Sequence, residues 1–119
     1  MAKLMISIPH SKDNTDKATV GFVVANASVA SGVETAIWLS VEGVRLAVPG
    51  YADGIHEEGF SPLKKLMDDF IGAGGIIWLC SPCVKKRKID ENNLIKGATI
   101  VGGAKAVEFL TTGASCITY

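Results

Sequence analysis

"SPLKKLMDDFIGAGGIIWLCSPCVKK", residues 61–86, carries the pattern that decides the fold. Ser61 offers an N-cap and Pro62 suits the first helical position. Leu63, Leu66, Met67, Phe70 and Ile71 then fall on one face of a helix. The glycine-rich run Gly72–Gly75 ends that helix and leads into a short apolar strand, Ile76 to Leu79. Cys80 follows at the carboxyl end of the strand, and Ser81–Pro82 start another helix. A helix feeding a buried strand that feeds a second helix is the repeating unit of an α/β sheet.

The same alternation extends outward in both directions. Lys3 to Ile8 reads as a strand closed by Pro9, which cannot donate to a ladder. Asn14 or Thr15 offers an N-cap for a helix from Asp16 to Ala30, with Ala18, Val20, Val23, Val24, Ala27 and Ala30 mostly at helical spacing and Gly32 at its end. That helix is apolar nearly all round, so it is expected to be sandwiched within the fold or against another subunit. Thr35 to Val41 reads as a second buried strand. Residues 42–60 hold four glycines and a proline without a clean period, which predicts a long loop with one helical turn. After Asp90 the reading is a short helix around Asn92–Ile95, a strand at Ala98–Val101, a helix Gly103–Thr112 ended by Gly113, and a final strand in Ala114–Tyr119. The expected architecture is one α/β domain over residues 1–119, a three-layer α/β/α sandwich on a mostly parallel sheet of about five strands. In such sheets reactive groups gather beyond the carboxyl ends of the strands, an edge expected to carry His10, Glu42 and Cys80.

Charge and composition narrow the function. Twelve basic and twelve acidic side chains cancel over 119 residues, so no global field draws in nucleic acid or anionic lipid. A 48% hydrophobic share and a mean hydropathy of +0.30 point to a sheet buried on both faces together with surface lost to subunit contacts. Three cysteines are too few for a disulfide framework and suit a reducing cytoplasm. "MAKLMISIPH" lacks the pattern of a secretory signal. The longest apolar stretch, Val20 to Val33, is interrupted by polar residues and falls short of the ~20 needed to cross a bilayer.

Cys80–Ser81–Pro82–Cys83 is the feature that carries chemistry. A strand-to-helix turn presents free N–H groups, and Lys85, Lys86, Arg87 and Lys88 follow at once. Both are expected to stabilise a thiolate and to push its pKa below the free value of about 8.5. Cys116, inside the last strand, reads as a packing residue. Structural zinc wants four ligands, and only His10 and His56 could complete a set with the pair, so no metal or other cofactor is expected. Thioredoxin-like folds place a proline from a downstream strand against the pair, yet Pro9, Pro49, Pro62 and Pro82 leave none after it. No nucleophile elbow, phosphate-binding loop or dinucleotide fingerprint occurs. Glu57 and Glu58 read as solvated, while His10, Tyr51 and His56 are candidate proton donors or acceptors near the turn.

The order of motifs resembles the DsrE/DsrF-like family, which includes sulfur-relay proteins and a group once labelled predicted peroxiredoxins. The resemblance rests on "LMISIP" at the start, "LSVEGV" at 39–44, "LCSPCVKKRKID" at 79–90 and the closing "LIKGATIVGGAKAVEFLTTGASCITY". It implies a homo-oligomer, commonly a trimer or hexamer, and an acceptor cysteine at the position of Cys80 that takes up a persulfide and hands it to a partner. Cys83 departs from the family pattern, since many members carry a small residue there. Three readings follow. The first is a sulfur carrier or sulfurtransferase, with Cys80 loaded, Cys83 resolving, and Lys85, Lys86 and Arg87 stabilising the anion. The loop 43–60 would be its lid, with Arg45, Tyr51 and His56 as contacts and sulfur donors and acceptors as partners. The second is a dithiol redox protein using the same pair, and the third an oligomeric small-ligand binding module.

Overall fold

The computed structural model describes residues 2–119. Its sheet has five strands, β1 (Lys3–Ile8), β2 (Glu34–Leu39), β3 (Ile76–Cys80), β4 (Ala98–Val101) and β5 (Ala114–Thr118), in the order β4-β3-β2-β1-β5. Every pairing is parallel, with Met5 beside Ala36 and Cys116, and Cys80 beside Val101. The connecting helices are α1 (Thr15–Ala30), α2 (Leu63–Gly72), α3 (Ser81–Lys86) and α4 (Gly103–Thr111), and a 3-10 segment spans Val41–Ala47. The chain is the expected α/β sandwich, and its sheet is parallel throughout.

Strand order explains why the two faces differ. From β1 to β4 the chain steps across the sheet in one direction, so right-handed crossovers put α1, α2 and α3 on a common face. The return from β4 to β5 puts α4 on the opposite face. On the first face Ile6, Ile8, Ile37, Leu39, Ile77 and Leu79 pack against Phe22, Leu63, Met67 and Phe70, all of them buried. The Phe22 and Phe70 rings meet edge to face at 6.1 Å. Truncating such a fully buried aromatic typically costs about 3–5 kcal/mol. The second face is thinner: Met5, Ala36 and Trp78 pack on Ala106 and Phe109. α1 packs on β1 and β2 with α2 beside it, and its outer side is not sandwiched within the fold: Val20, Val23 and Val24 are only half-buried and Ala27 and Ala30 are exposed.

Two glycines are required by close approach. A Cβ on Gly75 would lie 2.3 Å from the Phe70 ring. On Gly43 it would lie 2.1 Å from the Ile8 carbonyl oxygen, because the 3-10 segment crosses directly over the end of β1.

Local signals hold in part. The Asn14 side chain caps α1 by accepting from the Lys17 N–H at 3.1 Å. α2, by contrast, begins at Leu63 with Pro62 as its cap residue and no side-chain cap bond, so Ser61 does not cap it. β2 stops at Leu39 because Val41 turns into the left-handed region, φ 51°. The short helix expected at Asn92–Ile95 does not form. Asp90 accepts from the Asn92 N–H at 2.9 Å in a side-chain turn, and the Ile95 N–H is taken by the Ala47 carbonyl at 2.8 Å. Cys116 lies exposed on the edge strand β5 and is not a buried packing residue. Among the described residues no helix is long and apolar enough to cross a membrane.

Candidate functional site

The site is built by β3. Ile77 and Leu79 lock the strand into the first core, and Val84, fully buried, anchors the helix that follows. Cys80 is thereby held at the carboxyl end of the strand, and Cys83 stands one turn into α3. The Cys83 thiol reaches the Cys80 sulfur at 2.8 Å; both cysteines are free and half-buried. Such a pair is placed to exchange a bond with each other or with an incoming sulfur.

Its electrostatics reverse the sequence expectation. Burial pushes the Cys80 thiol above its ordinary pKa, and the bond and charge of Cys83 add to the rise. The Cys83 N–H and the Arg87 guanidinium pull the other way and lose. Lys85 and Lys86 are exposed and, among the described residues, make no hydrogen bond or ion pair, so they do not supply the expected stabilisation. Arg87 is different. Its side chain is only 10% exposed, its Nη1 donates to the Cys83 carbonyl at 3.2 Å, and its Nε donates to Glu42 at 2.7 Å.

Glu42 joins the two halves of the site. Its other carboxylate oxygen accepts from Arg45 Nε at 2.8 Å, so one carboxylate is shared by two guanidiniums. The hydrogen bonds from Arg87 and then Arg45 hold its carboxyl below the usual range. Of the candidates on residues 42–60, Glu42 and Arg45 are thus tied to the thiol helix. His56 is not: it is exposed, and its Nε2 pairs with the Phe60 carbonyl at 2.7 Å.

His10 and Tyr51 belong to a second cluster, beyond the end of β1. His10 Nδ1 pairs with Asp13 at 2.7 Å, and the other Asp13 oxygen accepts from the Ser11 N–H at 2.8 Å. The Ser11 and Tyr51 hydroxyls lie 3.4 Å apart, and Lys12 stands 4.3 Å from the centre of the Tyr51 ring. Burial works to raise the Asp13 carboxyl, but the bonds from His10 and the Ser11 N–H outweigh it and hold it low. Asp13 and Lys12 were not singled out from sequence; the three-residue spacing of His10 and Asp13 was the available signal. A groove of about 280 Å³ opens elsewhere, between Leu46, Pro49, Met67, Ile71, Ile95 and Lys96, and neither thiol lines it.

The family model described as DsrE/DsrF-like matches residues 2–119. The chain belongs to the DsrE/DsrF-like family. Two relatives come from Methanocaldococcus jannaschii, both named as uncharacterized proteins. MJ0760 is 29% identical over 98 residues, which are 82% of this chain and 36% of that protein. MJ0989 is 23% identical over 125 residues, covering 98% of this chain and 99% of its own length. The chain therefore spans about a third of the first relative and nearly all of the second. Among solved structures, the ychN protein from E. coli superposes with a TM-score of 0.74 at 16% identity. The protein of unknown function MTH1491 from Methanobacterium thermoautotrophicum superposes with 0.71 at 18%. Both alignments cover the whole of each chain. At these identities the likeness shows the fold.

Proposed function

We propose that this DsrE/DsrF-like chain is a sulfur carrier or sulfurtransferase that takes up sulfane sulfur on Cys80. The observation that carries the reading is the pair of free, half-buried thiols in contact at the carboxyl end of β3. Family membership supports it. In the loading step the deprotonated Cys80 sulfur attacks the outer sulfur of a donor persulfide or of thiosulfate. The donor S–S bond breaks, the donor leaves as thiolate or sulfite, and Cys80 becomes a persulfide. An acceptor nucleophile then removes the outer sulfur. Alternatively Cys83 attacks the Cys80 sulfur and expels sulfide, and the pair is oxidised to a disulfide as the sulfane sulfur is reduced. Because the Cys80 thiol is pushed up, loading speeds up as pH rises through and above the ordinary thiol range.

A dithiol redox role is the second reading, favoured by the same 2.8 Å contact, and it differs only in needing no sulfur donor. The partners in the first reading are sulfur donors and acceptors, in the cytoplasm, where a reduced pair persists. A homo-oligomer, trimer or hexamer, fits the surface. Ser115 to Thr118 on β5 are uncharged and exposed, and an open edge of that kind normally carries protective charge.

The test is intact-protein mass spectrometry after incubation with thiosulfate or polysulfide. Wild type should gain sulfur-atom masses that Cys80→Ser does not. Equal loading in that variant refutes the assignment. A loss of two hydrogens under oxidant with no sulfur gain transfers it to redox chemistry.

A further inference from the structure

We infer that Glu42 is a positioning residue that sets the reactivity of Cys80 by holding and neutralising Arg87. The inference rests on geometry around the pair and applies to sulfur uptake and dithiol exchange alike. Arg87 is the one basic residue of the run 85–88 whose side chain is buried against α3, where it touches the Cys83 carbonyl. A cation there favours the anionic form of the neighbouring sulfur, and Arg87 is the cation whose charge reaches Cys80. Its Nε, however, is bound to a carboxylate 45 residues away in sequence. Much of the positive field is spent on Glu42 before it reaches the thiol. Burial and Cys83 hold the Cys80 thiol up, and the cation that opposes them is the one shared with Glu42.

The surroundings contain few other charges that could act. Cys83 and Arg87 face Cys80 from α3. Glu42 and Arg45 face Arg87 from the 3-10 segment, and Arg45 competes for the same carboxylate. The neighbouring strand ends bring Leu39 from β2, with Ser40 after it, and Val101 from β4, none of them charged. Backbone geometry shows that Glu42 is held in this place. Val41, β-branched and 48% exposed, sits at φ 51°, a conformation such residues rarely take unless the surroundings impose it. That turn, with the close crossing of Gly43 over Ile8, delivers the Glu42 carboxylate to Arg87.

The experiment measures iodoacetamide alkylation of Cys80 against pH in a Cys83→Ser, Cys116→Ser background, where Cys80 is the only thiol. Glu42→Gln keeps the shape and removes the charge. It should lower the midpoint of the rate profile by roughly half to one pH unit, which is about 3–10 times more thiolate near neutral pH. Arg87→Gln should raise the midpoint. Decisively, Glu42→Gln should have no further effect when Arg87 is already glutamine, because its influence passes through that residue. Glu42→Asp, which keeps the charge, should return the midpoint toward that of the background protein. A role in folding alone would lower thermal stability without moving the midpoint. An unmoved or raised midpoint in Glu42→Gln, or an undiminished shift in the double variant, overturns the inference.

Discussion

Two strand ends of this sheet carry polar clusters, and they are wired differently. Beyond β1 the charged pairing is local: His10 pairs with Asp13 three residues on and the Ser11 N–H closes the loop on the same carboxylate, while Tyr51, 40 residues on, meets the cluster only through the Ser11 hydroxyl and Lys12. At the end of β3 the decisive contact is long-range, with Arg87 reaching Glu42 across 45 residues and tying α3 to the segment after β2. Only the second cluster contains a group that forms covalent bonds readily. The contrast teaches that carboxyl-end placement is common to both, and that thiol contact plus a shared carboxylate distinguishes the proposed site from the capped loop beyond β1.

The largest effect should come from removing the nucleophile. Cys80→Ser should reduce sulfur loading to background, while Asp13→Asn, which breaks the cluster at β1, should leave loading within about twofold. Intact mass measures both, and a Cys80-sized loss in Asp13→Asn would merge the two ends into one site. Next in size is Cys83→Ser. It should load as wild type does but keep its persulfide for longer, because in wild type Cys83 would slowly expel sulfide and close the disulfide after loading. Equal persulfide lifetimes in the two proteins would remove Cys83 as resolver.

Acid separates the same regions more gently. Glu42 and Asp13 both have carboxyls held below their unfolded values, Glu42 by Arg87 and Arg45, Asp13 by His10 and the Ser11 N–H against the opposing effect of burial. The unfolded chain therefore binds more protons in that window. The stability each contributes is complete above the ordinary carboxylate range and is lost as pH falls through the depressed folded values. Urea midpoints recorded from neutral to acid pH should fall less steeply in Glu42→Gln and in Asp13→Asn than in wild type. If Glu42→Gln shows the full wild-type slope, the clamp across Arg45 and Arg87 contributes nothing to the fold.

Much of this was legible in the sequence, and the failures share a cause. The stripe Leu63, Met67 and Phe70 and the apolar runs at Ile6 and Ile77 revealed the layers, because periodicity reports burial directly. Cys116 was misread because a strand of Ala, Ser, Cys and Ile looks the same at the centre of a sheet as at its edge; strand order decides its exposure. The Asn92–Ile95 helix failed because the Ile95 N–H found a tertiary acceptor, Ala47. The thiolate field failed for the same kind of reason. Four basic residues adjacent in the chain diverge in space: Lys85 and Lys86 end exposed, Lys88 turns off at φ 54°, and the one that points inward is claimed by Glu42. Periodic burial survives in a linear reading, whereas a partner 45 residues away does not.

The smallest effect concerns the turn that makes the long-range wiring possible. Val41 holds a left-handed backbone with 48% of its surface in solvent, so glycine there would relieve the clash of its Cβ and forfeit little packing. Against that gain stands the extra freedom of glycine in the unfolded chain, which leaves Val41→Gly more stable than wild type by about 0.5–1 kcal/mol. Gly32 supplies the opposite case. It sits at φ 78° after α1 with open space around its Cα, so Gly32→Ala meets no neighbour and pays only the conformational penalty, about 1 kcal/mol of destabilisation. The two substitutions exchange the same kind of backbone strain in opposite directions, and chemical denaturation of both reads it without reference to side-chain contacts. Should Val41→Gly prove less stable than wild type, the valine side chain is itself part of what holds Glu42 against Arg87. The wiring at the end of β3 would then begin one residue earlier than the ion pairs indicate.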